Sequence, residues 1–426
     1  MKRKMFFGER MLYGDGVTPF NLVFPLKLKG KITESELKTA LKGIQEKHPW
    51  LTASVEVDEK NWPRMKANSS ETFPIPIRII ERYSDDDWQK VSQEEWSMPF
   101  DATKNPLLRL VWLRSEEVSE ILLVIHHCLS DGTATISIVK ALLALLDNPK
   151  ADIGKEKPIL SLQDIVPQKV LKSFPKRLKN GLIGKITTTA LRLIPVKKTA
   201  VERQQDYMLN WKLTEAQSKA IIQFCKTHQF TVNTLLSGAL LSAFKSVRGT
   251  KAFNKISLPV DVRNYNPLIK TDHIFAFGLM IVLSADLKKG FIDQVKTLQA
   301  DASQKLSKLN PYSLMLMMES CHSALRKFSN LLKYGKSSND CMFSNLGKLD
   351  IVSNYKNFEI ETIFSPSVIG PLGNTTTLVT STYRGQMDFS FMFSEGYLPY
   401  AEGKAIKEKM MEILDNLLTQ PLTEAA

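Results

Sequence analysis

Closely spaced cysteine pairs are missing from this chain, and so is any apolar run long enough to cross a bilayer. Cys128, Cys225, Cys321 and Cys341 stand far apart, which excludes a zinc ribbon and a disulfide framework and predicts reduced thiols in a cytoplasmic protein. The longest apolar run, 274–285, falls short of the roughly 20 residues a membrane helix needs and reads instead as a buried strand. The basic start Met1-Lys2-Arg3-Lys4 imitates a signal peptide, but Glu9, Arg10 and Asp15 intervene before any apolar segment. No transmembrane segment and a cytoplasmic location are therefore expected. A Gly-x-Ser-x-Gly elbow is also absent, which argues against a serine hydrolase of that type. The glycines around Gly181 and Gly184 miss phosphate-loop spacing, because position 179 is Lys179. No zinc-finger or RNP-type pattern occurs, and basic residues are not gathered with aromatics, so nucleic acid is not expected as a partner.

What is present is ordinary globular material. The 426 residues are 43% hydrophobic and 24% charged, enough to bury a core without a metal or disulfide staple. The net charge of +13, from 57 basic and 44 acidic residues, favours acidic partners: anionic membrane, coenzyme A phosphates or an acidic carrier protein.

Along the first part, 20–30, 51–57, 75–80 and 107–113 read as strands. Thr33 caps a helix over 34–48 with Leu37, Leu41 and Ile44 on one face, and a short helix follows over 85–98. Residues 121–125 form an unbroken apolar run, the pattern of a central strand buried on both faces. A helix over 135–146 comes next. Residues 147–205 change character, with dense lysine and repeated proline. One amphipathic helix over 170–193 is expected there, with Leu171, Phe174, Leu178, Leu182 and Ile186 packed on the body or covering the reaction site. That connector could also touch a carrier protein, a membrane or coenzyme A, or simply be solvated. Beyond 206 the sequence predicts strands through Trp211 and over 255–260, 275–283, 340–345, 378–383 and 386–393. Helices are expected over 215–228, 232–247 and 401–418. The expected division is an N-terminal lobe, 1–165, a basic crossover, 166–205, and a C-terminal lobe, 206–426, in an α/β fold.

The chemistry concentrates at His126-His127-Cys128-Leu129-Ser130-Asp131-Gly132, between the apolar strand and the helix. A lone His-x-x-x-Asp carries little information; the whole segment in this setting is specific. Successive strand residues face opposite sides, so His126 and His127 cannot both enter one pocket, which argues against a metal pair. One histidine can meet a reaction centre while the other packs behind it. An imidazole takes protons near neutral pH, so it can activate a hydroxyl or amine for attack on a thioester carbonyl. Two roles are open to Asp131: orienting an imidazole, or pairing with an arginine to hold the loop. Gly132 is expected to permit a backbone bend.

This motif resembles the His-His-x-x-x-Asp-Gly signature of the chloramphenicol acetyltransferase-like acyltransferases, which include condensation domains, alcohol acetyltransferases and polyketide-associated acyltransferases. Weaker likenesses follow in order along the chain: Glu46-Lys47-His48-Pro49-Trp50-Leu51, Pro99-Phe100-Asp101, Pro106-Leu107-Leu108-Arg109, Thr231-Val232-Asn233-Thr234, Pro259-Val260-Asp261-Val262-Arg263 and Phe343-Ser344-Asn345-Leu346-Gly347. The Asp-Phe-Gly-Trp-Gly element of the plant branch is absent. The resemblance implies two α/β sandwich lobes with a tunnel between them, His127 as general base, and Asp131 in a structural salt bridge with Arg263. His126 and Gly132 would shape the loop. Ser344, Asn345 and Thr382 are candidates for oxyanion stabilisation or the tunnel wall, although Ser344 and Asn345 equally suit a strand end. The donor would be acyl-coenzyme A or an acyl-phosphopantetheine carrier protein, with an alcohol or amine as acceptor and no permanently bound cofactor or metal. Only one such unit is present, so a free-standing acyltransferase is expected. The competing readings are a condensation-like module that binds carrier protein without turnover, and an acyl-thioester hydrolase.

Overall fold

The computed structural model describes residues 1–59, 62–195, 204–277, 279–286, 288–334 and 338–419. Two sheets carry the chain, and the apolar run of the motif strand sits at the centre of the first. That strand, Val118–His126, lies between Asn21–Gly30 and Leu108–Arg114, antiparallel to both. Its residues Ile121, Leu122, Leu123, Val124 and Ile125 are all fully buried, as a strand with both faces covered requires.

Helix Glu34–Lys47 starts where Thr33 and Glu36 form a reciprocal capping box, and its Leu37, Leu41 and Ile44 are buried. It packs on helix Gly132–Asp147, which follows the motif, and both contribute to the core around the sheet. Helix Asp87–Ser97 sits against strands Asn21–Gly30 and Val118–His126 and also touches Asp206–Lys212 of the second sheet. The segment expected as a strand over 51–57 divides: Pro49–Thr52 is a short 3-10 turn, and the strand is Ala53–Val57. With Lys2–Lys4 and Pro63–Ala67 it forms a small separate sheet. The basic N-terminus is thus a strand followed by helix Phe7–Tyr13.

The second sheet runs in the order Met280–Ser284, Lys255–Pro259, Cys341–Lys348, Thr377–Tyr383, Gln386–Ser394, Asp206–Lys212. Helices Val232–Arg248 and Tyr400–Thr419 pack together beside it. The strand expected over 275–283 is shorter than its apolar run. Ile274 and Phe275 are buried in an irregular segment, while Met280–Ser284 is an edge strand whose Met280 and Val282 face outward.

The two sheets are not built from separate halves of the chain. Phe358–Ile363, from the C-terminal half, pairs antiparallel with Asn21–Gly30 in the first sheet, and Ser367–Val368 pairs with the same strand. Ser365, between these two short strands, is tied to the second sheet. Its N–H donates to Asp388 Oδ1 at 2.5 Å and its hydroxyl to the Asp388 carbonyl at 2.7 Å. Burial pushes the Asp388 carboxyl up to about 6.

The described part of the crossover holds two helices, Gln168–Leu171 and Phe174–Leu193. The expected inward stripe is corrected at Leu182 and Ile186, which are 57% and 59% exposed. The face turned to the protein carries Gly184 and Thr188 instead. At Gly184 any Cβ would lie 1.8 Å from the Ser320 hydroxyl, so a residue without a side chain is needed at this point of close approach to helix Pro311–Ser320. The side chains of Phe174 and Leu178 lie outside the described ones. None of the described helices is long and apolar enough to cross a membrane.

Candidate active site

Strand pairing ends at His126, and this separates the two histidines. His126 is 4% exposed, with the rings of Tyr13 and Phe100 beside it at centroid distances of 5.8 and 6.1 Å. Its Nδ1 accepts the Cys128 N–H at 3.3 Å. Burial, aided by His127 and Arg109, pushes its pKa down to about 3, so this ring stays neutral and packs.

His127 lies one residue past the strand, and its N–H donates to the Phe20 carbonyl at 2.7 Å. The ring is half-buried, with Phe20 edge-on at 5.3 Å. His127 Nδ1 lies 2.9 Å from the Ser130 carbonyl oxygen. A carbonyl only accepts, so Nδ1 carries the proton and the lone pair of the neutral ring is on Nε2. Burial holds the pKa below the ordinary 6.5, opposed by the Ser130 carbonyl and by Asp131. The result is an imidazole fixed in one tautomer and neutral at physiological pH.

Asp131 serves the scaffold. One carboxylate oxygen caps helix Gly132–Asp147 by accepting the Ala134 N–H at 3.0 Å, and the other accepts from Arg263 Nη1 at 2.6 Å. The Arg263 side chain is 4% exposed, and it also donates to the carbonyls of Lys270 and His273 at 3.1 Å each. Asp261 adds a second link: it lies 3.3 Å from Arg263 Nη1 and accepts from the Thr133 hydroxyl at 2.8 Å. Two hydrogen bonds therefore join the start of the motif helix to the turn after strand Lys255–Pro259 in the other lobe. Because Asp131 caps the helix, it begins at Gly132, three residues before the expected start.

Gly132 corrects a second expectation. It does not adopt a positive φ, so no unusual bend depends on it. Its lack of a side chain makes room for Leu346 of strand Cys341–Lys348, whose Cδ2 would lie 2.6 Å from an added Cβ. Gly132→Ala should therefore cost about 1–3 kcal/mol in chemical denaturation, and adding Leu346→Ala should recover part of that loss; equal stabilities for the single and double variants would contradict the packing account.

The oxyanion candidates are placed unequally. Ser344 and Asn345 lie on strand Cys341–Lys348, adjoining Leu346, and Asn345 Oδ1 accepts the Gly347 N–H at 2.8 Å. Thr382 lies farther along its strand, opposite Lys348 and Met387, and among the described residues no hydrogen bond links it to the motif. Sequence reasoning missed Phe20 as a site residue; a strand pattern gives no sign that its first residue reaches His127. It also missed Asp261, which sits two residues before Arg263 in a segment already singled out. Among the described residues, no group of three His, Cys, Asp or Glu side chains is placed to hold a metal ion.

Residues 3–160 match the family model of the condensation domain. Gramicidin S synthase 2 of Aneurinibacillus migulanus is 28% identical over 141 residues, 33% of this chain and 3% of that protein. Bacitracin synthase 2 of Bacillus licheniformis is 27% identical over 134 residues, 31% of this chain and 5% of that protein. The matched stretch is thus a small fraction of these relatives. Across the whole chain the fold is shared with trichothecene 15-O-acetyltransferase from Fusarium sporotrichioides, at a TM-score of 0.73 and 14% identity, covering 99% of this chain and 95% of that one. It is shared also with polyketide synthase associated protein 5 from Mycobacterium tuberculosis, at a TM-score of 0.67 and 16% identity, covering 98% of each chain. The likeness to the condensation-domain family thus extends over residues 3–160, and the fold is shared with the solved structures throughout the chain.

Proposed function

We propose that this protein transfers an acyl group from a phosphopantetheine thioester to an alcohol or amine, with His127 as general base. The observation that carries the reading is the fixed tautomer: Nδ1 bonded to the Ser130 carbonyl at 2.9 Å, which leaves the Nε2 lone pair for the reacting proton. Nε2 takes the proton of the acceptor as its oxygen or nitrogen bonds to the thioester carbonyl carbon. The tetrahedral oxyanion then collapses, the carbon–sulfur bond breaks, and the proton on Nε2 passes to the departing thiolate. Ser344 and Asn345, on the strand that reaches Gly132, are the proposed source of oxyanion stabilisation. The donor is acyl-coenzyme A or a carrier-protein thioester, and the positive net charge suits the phosphates or acidic surface of either. No resident cofactor is needed for this step.

Purified protein supplied with a panel of acyl thioesters and with hydroxyl and amine acceptors tests the reading by intact-mass detection of acylated product. Thioester loss independent of acceptor would identify a hydrolase instead, and binding of acyl-carrier protein without consumption a non-catalytic module.

A pH profile gives a sharper measure. The base form of His127 must be unprotonated, and burial lowers its pKa from 6.5. The rate should thus rise with pH along a single limb centred below 6.5 and be flat at neutrality. A midpoint above 6.5 would contradict the assignment.

A further inference from the structure

We propose that the outer face of helix Phe174–Leu193 is a docking surface for an anionic lipid bilayer. Gly184 and Thr188, buried on the inner side of this helix, face helix Pro311–Ser320, and Gly184 leaves no space there for a side chain. The outer side carries Leu182, Ile186 and Leu193, exposed by 57%, 59% and 79%, followed by Ile194. At 100° per residue these positions form one stripe, about 16 Å long at 1.5 Å per residue. An apolar stripe left in water on a well-packed protein marks a surface used by something else.

The charge of this region selects the occupant. Lys176, Arg177, Lys179, Lys185 and Arg192 belong to the helix, whose sequence holds no aspartate or glutamate. Helix Leu325–Tyr334 packs alongside and adds Arg326, Lys327 and Lys333, again with no acid in its sequence, together with the partly exposed Leu332. Aliphatic residues flanked by lysine and arginine are the composition of a helix lying in a lipid headgroup layer. The centre of a protein–protein interface is instead depleted in lysine and enriched in aromatic residues, and the described side chains of the stripe include neither tryptophan nor tyrosine. The expected pose has the helix axis parallel to the membrane, with the exposed leucines and isoleucines below the phosphates and Lys185 among them.

Sedimentation of the full chain with vesicles of phosphatidylcholine alone, and of phosphatidylcholine with phosphatidylglycerol, tests this apart from any catalytic reading. Binding is expected to the anionic vesicles, weakening as salt is raised. The double variant Leu182→Ser, Ile186→Ser should lower partitioning about tenfold, and Lys185→Glu about fivefold. These residues lie outside the histidine site, so acyl transfer between soluble substrates and the far-ultraviolet spectrum should be unchanged. Absence of binding to both vesicle types overturns the proposal, as does undiminished binding by the double variant or equal binding to neutral vesicles. Loss of affinity for an acidic carrier protein in the double variant, with no vesicle binding by the parent, also overturns it and identifies a protein partner instead.

Discussion

Replacing His127 with alanine is expected to lower kcat/KM for acyl transfer about 10²–10⁴-fold, the contribution of a positioned general base. His127 Nδ1 is committed to the Ser130 carbonyl and Nε2 is not, so Nε2 is the nitrogen of this ring with a lone pair to take a proton. His126 is deeply buried and its pKa lies at about 3. His126→Phe should therefore lose stability through the orphaned Cys128 N–H while keeping the acid limb of the pH profile, whereas His127→Ala should abolish that limb. The His127 variant should unfold close to the parent midpoint, because its ring is not fully enclosed and makes one side-chain hydrogen bond. Full activity in that variant would falsify the proposed mechanism.

The second large effect is structural. Asp131→Ala is expected to destabilise the protein by about 3 kcal/mol, toward the low end of the roughly 3–5 kcal/mol typical of breaking a buried pair. Arg263 would remain almost fully enclosed, with Asp261 at 3.3 Å as its remaining carboxylate, and helix Gly132–Asp147 would lose its cap, worth about 1 kcal/mol. Asp131→Asn separates the two terms, since an amide oxygen still accepts the Ala134 N–H while the charge is gone. Denaturant titration should rank the parent above the asparagine variant and the asparagine above the alanine. An alanine variant as stable as the parent but inactive would return Asp131 to a chemical role.

What could be read from the sequence was what is local. The apolar run 121–125, the capping Thr33 and the histidine motif each act within a few residues, and each stands where its pattern put it. The partner of Asp131 was legible because the resemblance supplied Arg263; spacing alone could not have done so. Three things were not legible, each for a physical reason. Helical periodicity shows which residues of the crossover share a face but not which side meets protein, and here glycine packing reversed the answer. The run 274–285 satisfied the rule for a buried strand, yet Ile274 and Phe275 are buried without strand pairing. The strand Phe358–Ile363 was not among the expected ones, and nothing in its side chains names Asn21–Gly30 as its partner.

That last pairing bears on how the molecule comes into being. As the chain leaves the ribosome, strand Asn21–Gly30 has its inner neighbour Val118–His126 early, but its outer edge stays open until Phe358–Ile363 has been made. An unpaired edge is a template for wrong association, and closing it requires contact between segments far apart in the sequence, which is slow. The N-terminal lobe expressed alone would carry that open edge permanently. Neither strand edge nor ion pair is complete in the N-terminal lobe alone: Asp131 meets Arg263 only once the second lobe has been synthesised.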